Sequence, residues 1–276
     1  MASVILLLIF LTNVFPFWRA IRAQQGTTLI HSIVWGFAAL MAWITAVLID
    51  VPRPELELTF PGYLALGLTG CASMAVLGAR RPGAAAWNFV ILGLLVVMLF
   101  LWFENQLAQD DRILGRVRTI FLASTLAIGV LNYLPTRLAP AAVCLALGCA
   151  GELLAISGSE SSPAGMEPAR NLSRLMVALV PWVTYARLRW QRLPASDFDQ
   201  VWLRFRNSYG MVWAQRLREQ FNQSAKHSNW PVILRWQGLR VIPGEHPPSY
   251  EDRQEMLANL RALMKRFEAP EKNSHG

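Results

Sequence analysis

Charge is scarce in this chain. Only 16% of its 276 residues are Asp, Glu, Lys or Arg, where soluble domains carry roughly a quarter. With 54% hydrophobic residues and a mean hydropathy of +0.31, that shortage excludes an ordinary water-soluble domain and makes lipid part of the solvent. Lysine is rarer still: Lys226, Lys265 and Lys272 are the only ones, and every other cation is arginine. This usage suggests a GC-rich, bacterial genome. Three cysteines (Cys71, Cys144 and Cys149) all fall in apolar stretches. An odd number with no CxxC pair excludes a disulfide framework or a zinc site, and they read as small packing residues. Of four histidines only His31 lies in an apolar run, so a bis-histidine haem within the membrane lacks its second ligand. No cofactor or metal is expected. No Ser, His and Asp can be assembled into a nucleophilic constellation, so the expectation leans away from an enzyme.

What is present is long apolar runs. A span needs about 20 mostly apolar residues, and seven segments come close: Ala2 to Trp18, Thr28 to Ile49, Phe60 to Leu77, Ala84 to Phe103, Val117 to Leu134, Leu138 to Ile156 and Leu172 to Leu188. In lipid every backbone N–H and C=O must be satisfied internally, and these runs lack the alternation of barrel strands, so they are expected to be helices. Pro52, Pro54, Pro61, Pro82, Pro135 and Pro140 mark the joints. The first run has no basic n-region and no small-x-small cleavage site, so it reads as a retained span rather than a signal peptide. The stretch from Gly158 to Gly165, rich in Ser and Gly, reads as a flexible loop.

Loop charge predicts orientation. The joints after spans one, three and five, together with the end of span seven, hold Arg19, Arg22, Arg80, Arg81, Arg137, Arg187, Arg189 and Arg192. The alternate joints hold Arg53, Arg112, Arg116, Arg118, Arg170 and Arg174, mixed with Asp50, Glu55, Glu57, Glu104, Asp110, Asp111, Glu160 and Glu167. The alternation places the N-terminus outside and the C-terminus in the cytoplasm, in a bacterial inner membrane.

The last third is different. Residues 1–187 carry 12 Lys+Arg and 9 Asp+Glu, and residues 188–276 carry 14 and 9, so +5 of the net +8 lies there. The predicted organisation is a transmembrane bundle over 1–193, a basic, mainly helical cytoplasmic domain over 194–268 and a disordered tail over 269–276. Ser196 is positioned to cap a helix over about Asp197 to Ala225, with Phe198, Trp202, Phe205, Tyr209, Trp213, Leu217 and Phe221 as one apolar stripe. Gly210 weakens its middle. Trp230 to Ile242 reads as a strand or an irregular pack. Ser249 and Asp252 resemble a capping box for a helix over about Tyr250 to Phe267. So small a domain has a thin core, which points to docking on the bundle or to self-association.

Ionisable groups within spans are costly and mark candidate sites. Glu152 and His31 are the two that the sequence places there, and Asn13, Asn88 and Asn132 add polar groups that can bond across helices. In the cytoplasmic domain Trp202, Trp213, Trp230 and Trp236, interleaved with Arg204 and Arg216, are the candidate partner-binding residues. Glu104, Asp110 and Asp111 could ligate a cation, although a solvated loop explains them more simply. Proximity to an anionic leaflet accounts for the basicity better than nucleic acid does. The expected fold is thus an all-α integral membrane bundle of about seven helices with a small helical C-terminal domain. The expected function is anchoring, assembly or signalling, with the lipid bilayer and a protein partner (or a second copy) engaged. The alternative is a transporter or small-molecule receptor in which Glu152 and the span asparagines converge on a pocket among the spans.

Overall fold

A computed structural model describes residues 2–50, 59–80, 84–107, 112–157, 163–190 and 196–268. These are mostly helical, as the apolar runs require. In chain order the helices are α1 (Ala2–Thr12), α2 (Val14–Gln24), α3 (Ile30–Asp50), α4 (Thr59–Ala75), α5 (Ala84–Leu107), α6 (Arg112–Tyr133), α7 (Ala139–Ser157) and α8 (Pro163–Arg189). The C-terminal segment adds α9 (Asp197–His227), the strands β1 (Val232–Arg235) and β2 (Gly238–Val241), and α10 (Tyr250–Met264). The expected disordered tail over 269–276 lies outside the described residues.

Five helical stretches are long and apolar enough to cross a membrane: Ala2–Gln24, Ile30–Asp50, Phe60–Gly78, Ala86–Glu104 and Ala139–Ser157. α6 and α8 are as long, at 22 and 27 residues, but Arg112, Arg116 and Arg118 lie on the first and Arg170, Arg174, Arg187 and Arg189 on the second. α8 also starts earlier than the sequence suggests. The proposed loop over Gly158 to Gly165 gives way to helix at Pro163, where proline suits a helix start.

The first stretch is broken at Asn13 because Pro16 has no N–H to return to the Thr12 carbonyl. α4 is the central rod: 61% of its span is buried, against 11% for α5. On α5, Phe89 and Phe100 are 78% and 62% exposed, which suits a surface bathed by lipid chains. Glycines let neighbours approach closely. A Cβ on Gly148 or Gly151 of α7 would strike Ser173 and Val177 of α8, and one on Gly129 of α6 would strike Ser73 of α4.

The C-terminal segment packs on one end of this bundle. Its core joins Phe198, Trp202, Phe205, Trp213, Leu217 and Phe221 of α9 to Met256, Leu257 and Leu260 of α10 and to Phe267. Leu29, Val76 and Ala79 from the bundle belong to the same core. The boundary drawn at residue 194 is therefore not a boundary in the packing, because the segment completes its thin core with bundle residues. Trp230 to Ile242 forms an antiparallel hairpin, with Val232 opposite Val241 and Arg235 opposite Gly238. α9 holds the hairpin by side chains. The Asn222 amide bonds both the N–H and the C=O of Leu234 (2.7 and 3.1 Å), and Asp199 Oδ1 accepts from the Leu239 N–H at 2.8 Å. Ser196 stands before α9 without a capping bond. Ser249 and Asp252 make the full capping box of α10.

Candidate functional site

The polar groups of the bundle fall into three separate clusters. The first surrounds Glu152, at the end of the bundle remote from the C-terminal segment. Glu152 has no exposed surface. Its Oε1 accepts from Arg170 Nε at 3.2 Å and Arg174 Nη2 at 3.1 Å, and its Oε2 accepts from Arg174 Nε at 3.2 Å. Arg174 therefore grips the carboxylate with two parallel bonds, the strong geometry for this pair. Its Nη1 bonds Asp50, the last residue of α3, and Arg170 Nη1 lies 3.7 Å from the same carboxylate. Two guanidinium groups and two carboxylates thus neutralise one another and tie α3, α7 and α8 together. Gly62 of α4 completes the wall: a Cβ there would stand 2.7 Å from Glu152 Oε1. Beside it, Arg118 of α6 is buried with its guanidinium 5.5 Å from the centre of the Tyr63 ring. Chemically this is a sealed lock, because the carboxylate has its charge balanced and its lone pairs engaged.

Read from the sequence, Arg118, Arg170 and Arg174 count with the joint charges, although Arg118 and Arg174 fall just inside the ends of their apolar runs. The signal that could have corrected this was the four-residue step from Arg170 to Arg174, which puts both on one helix face, opposite a glutamate on the preceding span. The expected convergence of Glu152 with the asparagines does not occur.

The second cluster is local. Asn88 Oδ1 accepts from Trp35 Nε1 at 3.2 Å, and its Nδ2 lies 3.0 Å from His31 Nδ1. With the amide oriented by the tryptophan, Nδ2 must donate and Nδ1 accept, so His31 is held as a hydrogen-bond partner joining α3 to α5.

The third cluster binds the C-terminal segment to the bundle. Gly210 breaks α9 with φ +77°, a left-handed value that favours glycine. The break frees backbone groups, and Asn132 at the end of α6 takes them: its Oδ1 accepts from the Val212 N–H at 3.0 Å, and its Nδ2 lies 3.4 Å from the Tyr209 carbonyl. A Cβ on Gly210 would collide with the Asn132 amide. Around this point Tyr133 donates to the Ser208 carbonyl (3.0 Å), Trp213 Nε1 to the Val76 carbonyl (3.0 Å) and Trp236 Nε1 to the Pro135 carbonyl (2.7 Å). The Thr28 N–H and hydroxyl both donate to the Phe267 carbonyl. Three joints of the bundle, near residues 28, 76 and 135, are thus gripped at once.

The four tryptophans proposed for an outside partner are used here instead. Trp202, Trp213 and Trp230 are buried in the shared core, and half-buried Trp236 faces the bundle. The reason is size: a segment with so thin a core cannot spare its aromatics. Arg204 and Arg216 do remain exposed, Arg216 with its guanidinium 5.2 Å from the Trp213 ring centre. Arg206 is buried, donates to the Trp236 carbonyl at 2.7 Å and bonds Asn207. Burial and the nearby Arg137 pull its pKa down to about 10.

Between the clusters lies a cavity of about 310 Å³, within the range of small-molecule sites. It is enclosed by α1 to α4 and α6 to α8, and Gly36, Ala39, Ala72, Gly129, Ala141 and Ala142 leave the room. Its walls are mainly apolar. Asn13, fully buried, lines it: Nδ2 donates to the Ala178 carbonyl at 2.9 Å, while Oδ1 has no donor. Glu152, His31, Asn88 and Asn132 are not among its lining residues.

Among the described residues no group of three or more His, Cys, Asp or Glu is placed to hold a metal. Asp110 and Asp111, two of the candidate cation ligands, lie outside the described residues. Cys71 and Cys149 are buried free thiols, and Cys144 is a half-buried one. Comparison with protein-family models, with curated proteins and with solved structures finds no match.

Proposed function

We propose that this chain is a seven-span component of a bacterial inner membrane, with its N-terminus outside, that anchors and presents a cytoplasmic module to a protein partner. The observation that supports this best is the shared core. Leu29, Val76 and Ala79 come from the joints that loop charge assigns to the cytoplasm, and they are sealed beneath the same aromatic cluster. α6 and α8 complete the seven. Arg118, Arg170 and Arg174 are three of the six arginines that had counted against this orientation, and all three are folded into the bundle. Their removal from the loops strengthens the bias that defines sidedness.

In this reading the partner meets the polar outer face of α9 and the hairpin rather than the aromatic stripe. Arg218 and Lys226 of α9 and Arg235 of β1 line one groove there alongside Glu219, a net positive surface that suits an acidic segment. Reporter fusions at residues 56, 108 and 164 should report the periplasm, and those at 24, 82, 136 and 276 the cytoplasm. The reverse pattern sinks the orientation. Charge reversal of Arg218 and Arg235 should abolish partner capture by the full-length protein without lowering its thermal midpoint. Unchanged capture would contradict the surface assignment. A second reading, a receptor or transporter with a pocket among the spans, is favoured by the central cavity and the Asn13 oxygen in its wall that has no donor.

A further inference from the structure

The central cavity has a neighbour on one side. A second hollow of about 430 Å³ lies between α2 and α8, lined by Pro16, Ala20, Tyr185 and Leu188 among others, with Arg19 and Arg189 at its edge. It shares Phe17, Val180, Pro181 and Thr184 with the central cavity. The two hollows thus adjoin at these residues, and the Phe17 ring, which lines both, packs edge-on against Phe37. Each wall carries a proline, Pro16 in α2 and Pro181 in α8, which has no N–H to return to the carbonyl four residues before it.

The outer hollow carries the marks of interfacial depth. Trp18, Arg19, Arg22, Arg189 and Trp190 are exposed beside it, the aromatic and basic belt of a membrane boundary. Among the described residues neither Arg19 nor Arg189 is paired with a carboxylate; Arg189 donates to the Tyr185 hydroxyl at 2.9 Å. Two cations with no carboxylate partner among the described residues, the apolar residues shared by the two hollows and an apolar chamber thus follow one another. The chamber contains one buried acceptor, Asn13 Oδ1, that lacks a donor. Buried polar atoms are seldom left unmade, so this one points to a ligand.

From this we infer that the protein binds a single-chain anionic lipid of the surrounding leaflet, which enters sideways between α2 and α8. Its phosphate or carboxylate head lies on Arg19 and Arg189, and its chain lies in the central cavity. The chamber is at the lower limit of ligand-site volumes, which favours one chain over two. Asn13 stands six residues from Arg19 along the helix, roughly 9 Å by helical rise, so a hydroxyl donor at about that distance from the head would satisfy Oδ1. This inference rests on the pocket reading given above and adds the chemistry of the occupant.

The test uses the full-length protein in phosphatidylcholine nanodiscs and a lysophosphatidate carrying a diazirine at its chain end. Illumination followed by peptide mapping should place the label on cavity residues such as Leu40, Thr69 and Leu145. Unlabelled lysophosphatidate and oleate should compete, and monooleoylglycerol should not. The Arg19→Gln/Arg189→Gln variant should lower labelling by roughly tenfold or more, from about 1 kcal/mol for each arginine near an anionic group. Both side chains are exposed, so its thermal midpoint should match that of the parent. Ala142→Phe, which fills the chamber, should abolish cavity labelling. Label confined to lipid-facing residues such as Phe89 overturns both the pocket reading and this inference. Cavity labelling that the neutral lipid matches, or that the double variant retains, leaves the pocket standing and overturns the anionic lipid.

Discussion

Replacing Glu152 by glutamine keeps the side-chain shape and removes one charge from a set of four. The parent cluster is neutral, with Asp50 and Glu152 against Arg170 and Arg174. The variant leaves a net positive charge where Arg174 is only 3% exposed. Breaking a buried pair on one side costs about 3–5 kcal/mol. Arg170 and Asp50 retain 21% and 18% exposure, which relieves part of that penalty, so the lower value, about 3 kcal/mol, is expected. By the size scaling of thermal unfolding this is roughly 6–12 °C in midpoint, readable by size-exclusion after heating in detergent. Arg174→Met should cost a similar amount. The double variant, which restores neutrality, should be less destabilised than the sum of the two by about 2 kcal/mol. Single variants within about 1 kcal/mol of the parent, with no coupling between them, would refute the claim that these charges are desolvated.

Three more outcomes follow from the same structure. Gly62→Ala places a methyl against Glu152 and should cost about 1–3 kcal/mol, with a smaller effect when combined with Glu152→Gln; the same detergent melt reads it. Gly210→Ala forces a left-handed backbone onto a residue with a Cβ and collides with Asn132. Limited proteolysis of membranes should then cut the C-terminal segment far faster than in the parent. Asn132→Leu strips the Val212 N–H of its acceptor and should cost about 1–3 kcal/mol, seen as faster amide exchange around residues 207–214 with the rest of the bundle unchanged.

Much of the architecture can be read in the runs themselves. All seven apolar stretches are helical, the first as two short helices broken at Asn13, and five are long and apolar enough to cross a membrane; Ser249 with Asp252 announces α10 by local chemistry alone. The aromatic stripe of α9 is equally legible, since Phe198, Trp202, Phe205 and Tyr209 repeat at helical steps. What could not be read is what those stripes face. The partner of Trp213 is a carbonyl of Val76, 137 residues away, and no periodicity records such a distance. Arg170 looked like a loop charge because α8 begins before its apolar part does, and Arg174 stood with it at the edge of the run. Asn132 looked like a polar group within a span, while its real role depends on a break in α9 at Gly210 that only the folded chain brings beside it. The cavity is a difference between packed volumes, and its small lining residues are spread over four helices.

The docking of residues 196–268 on the bundle joints is tested most directly at Thr27 and Glu268, which face each other as an antiparallel bridge. A cysteine pair at Thr27→Cys and Glu268→Cys lies within disulfide reach. Mild oxidation of isolated membranes should link it quantitatively, so that chains cut between the two positions stay joined until reduced. A pair that remains reduced, while both single cysteines react with maleimide, would contradict the clamp.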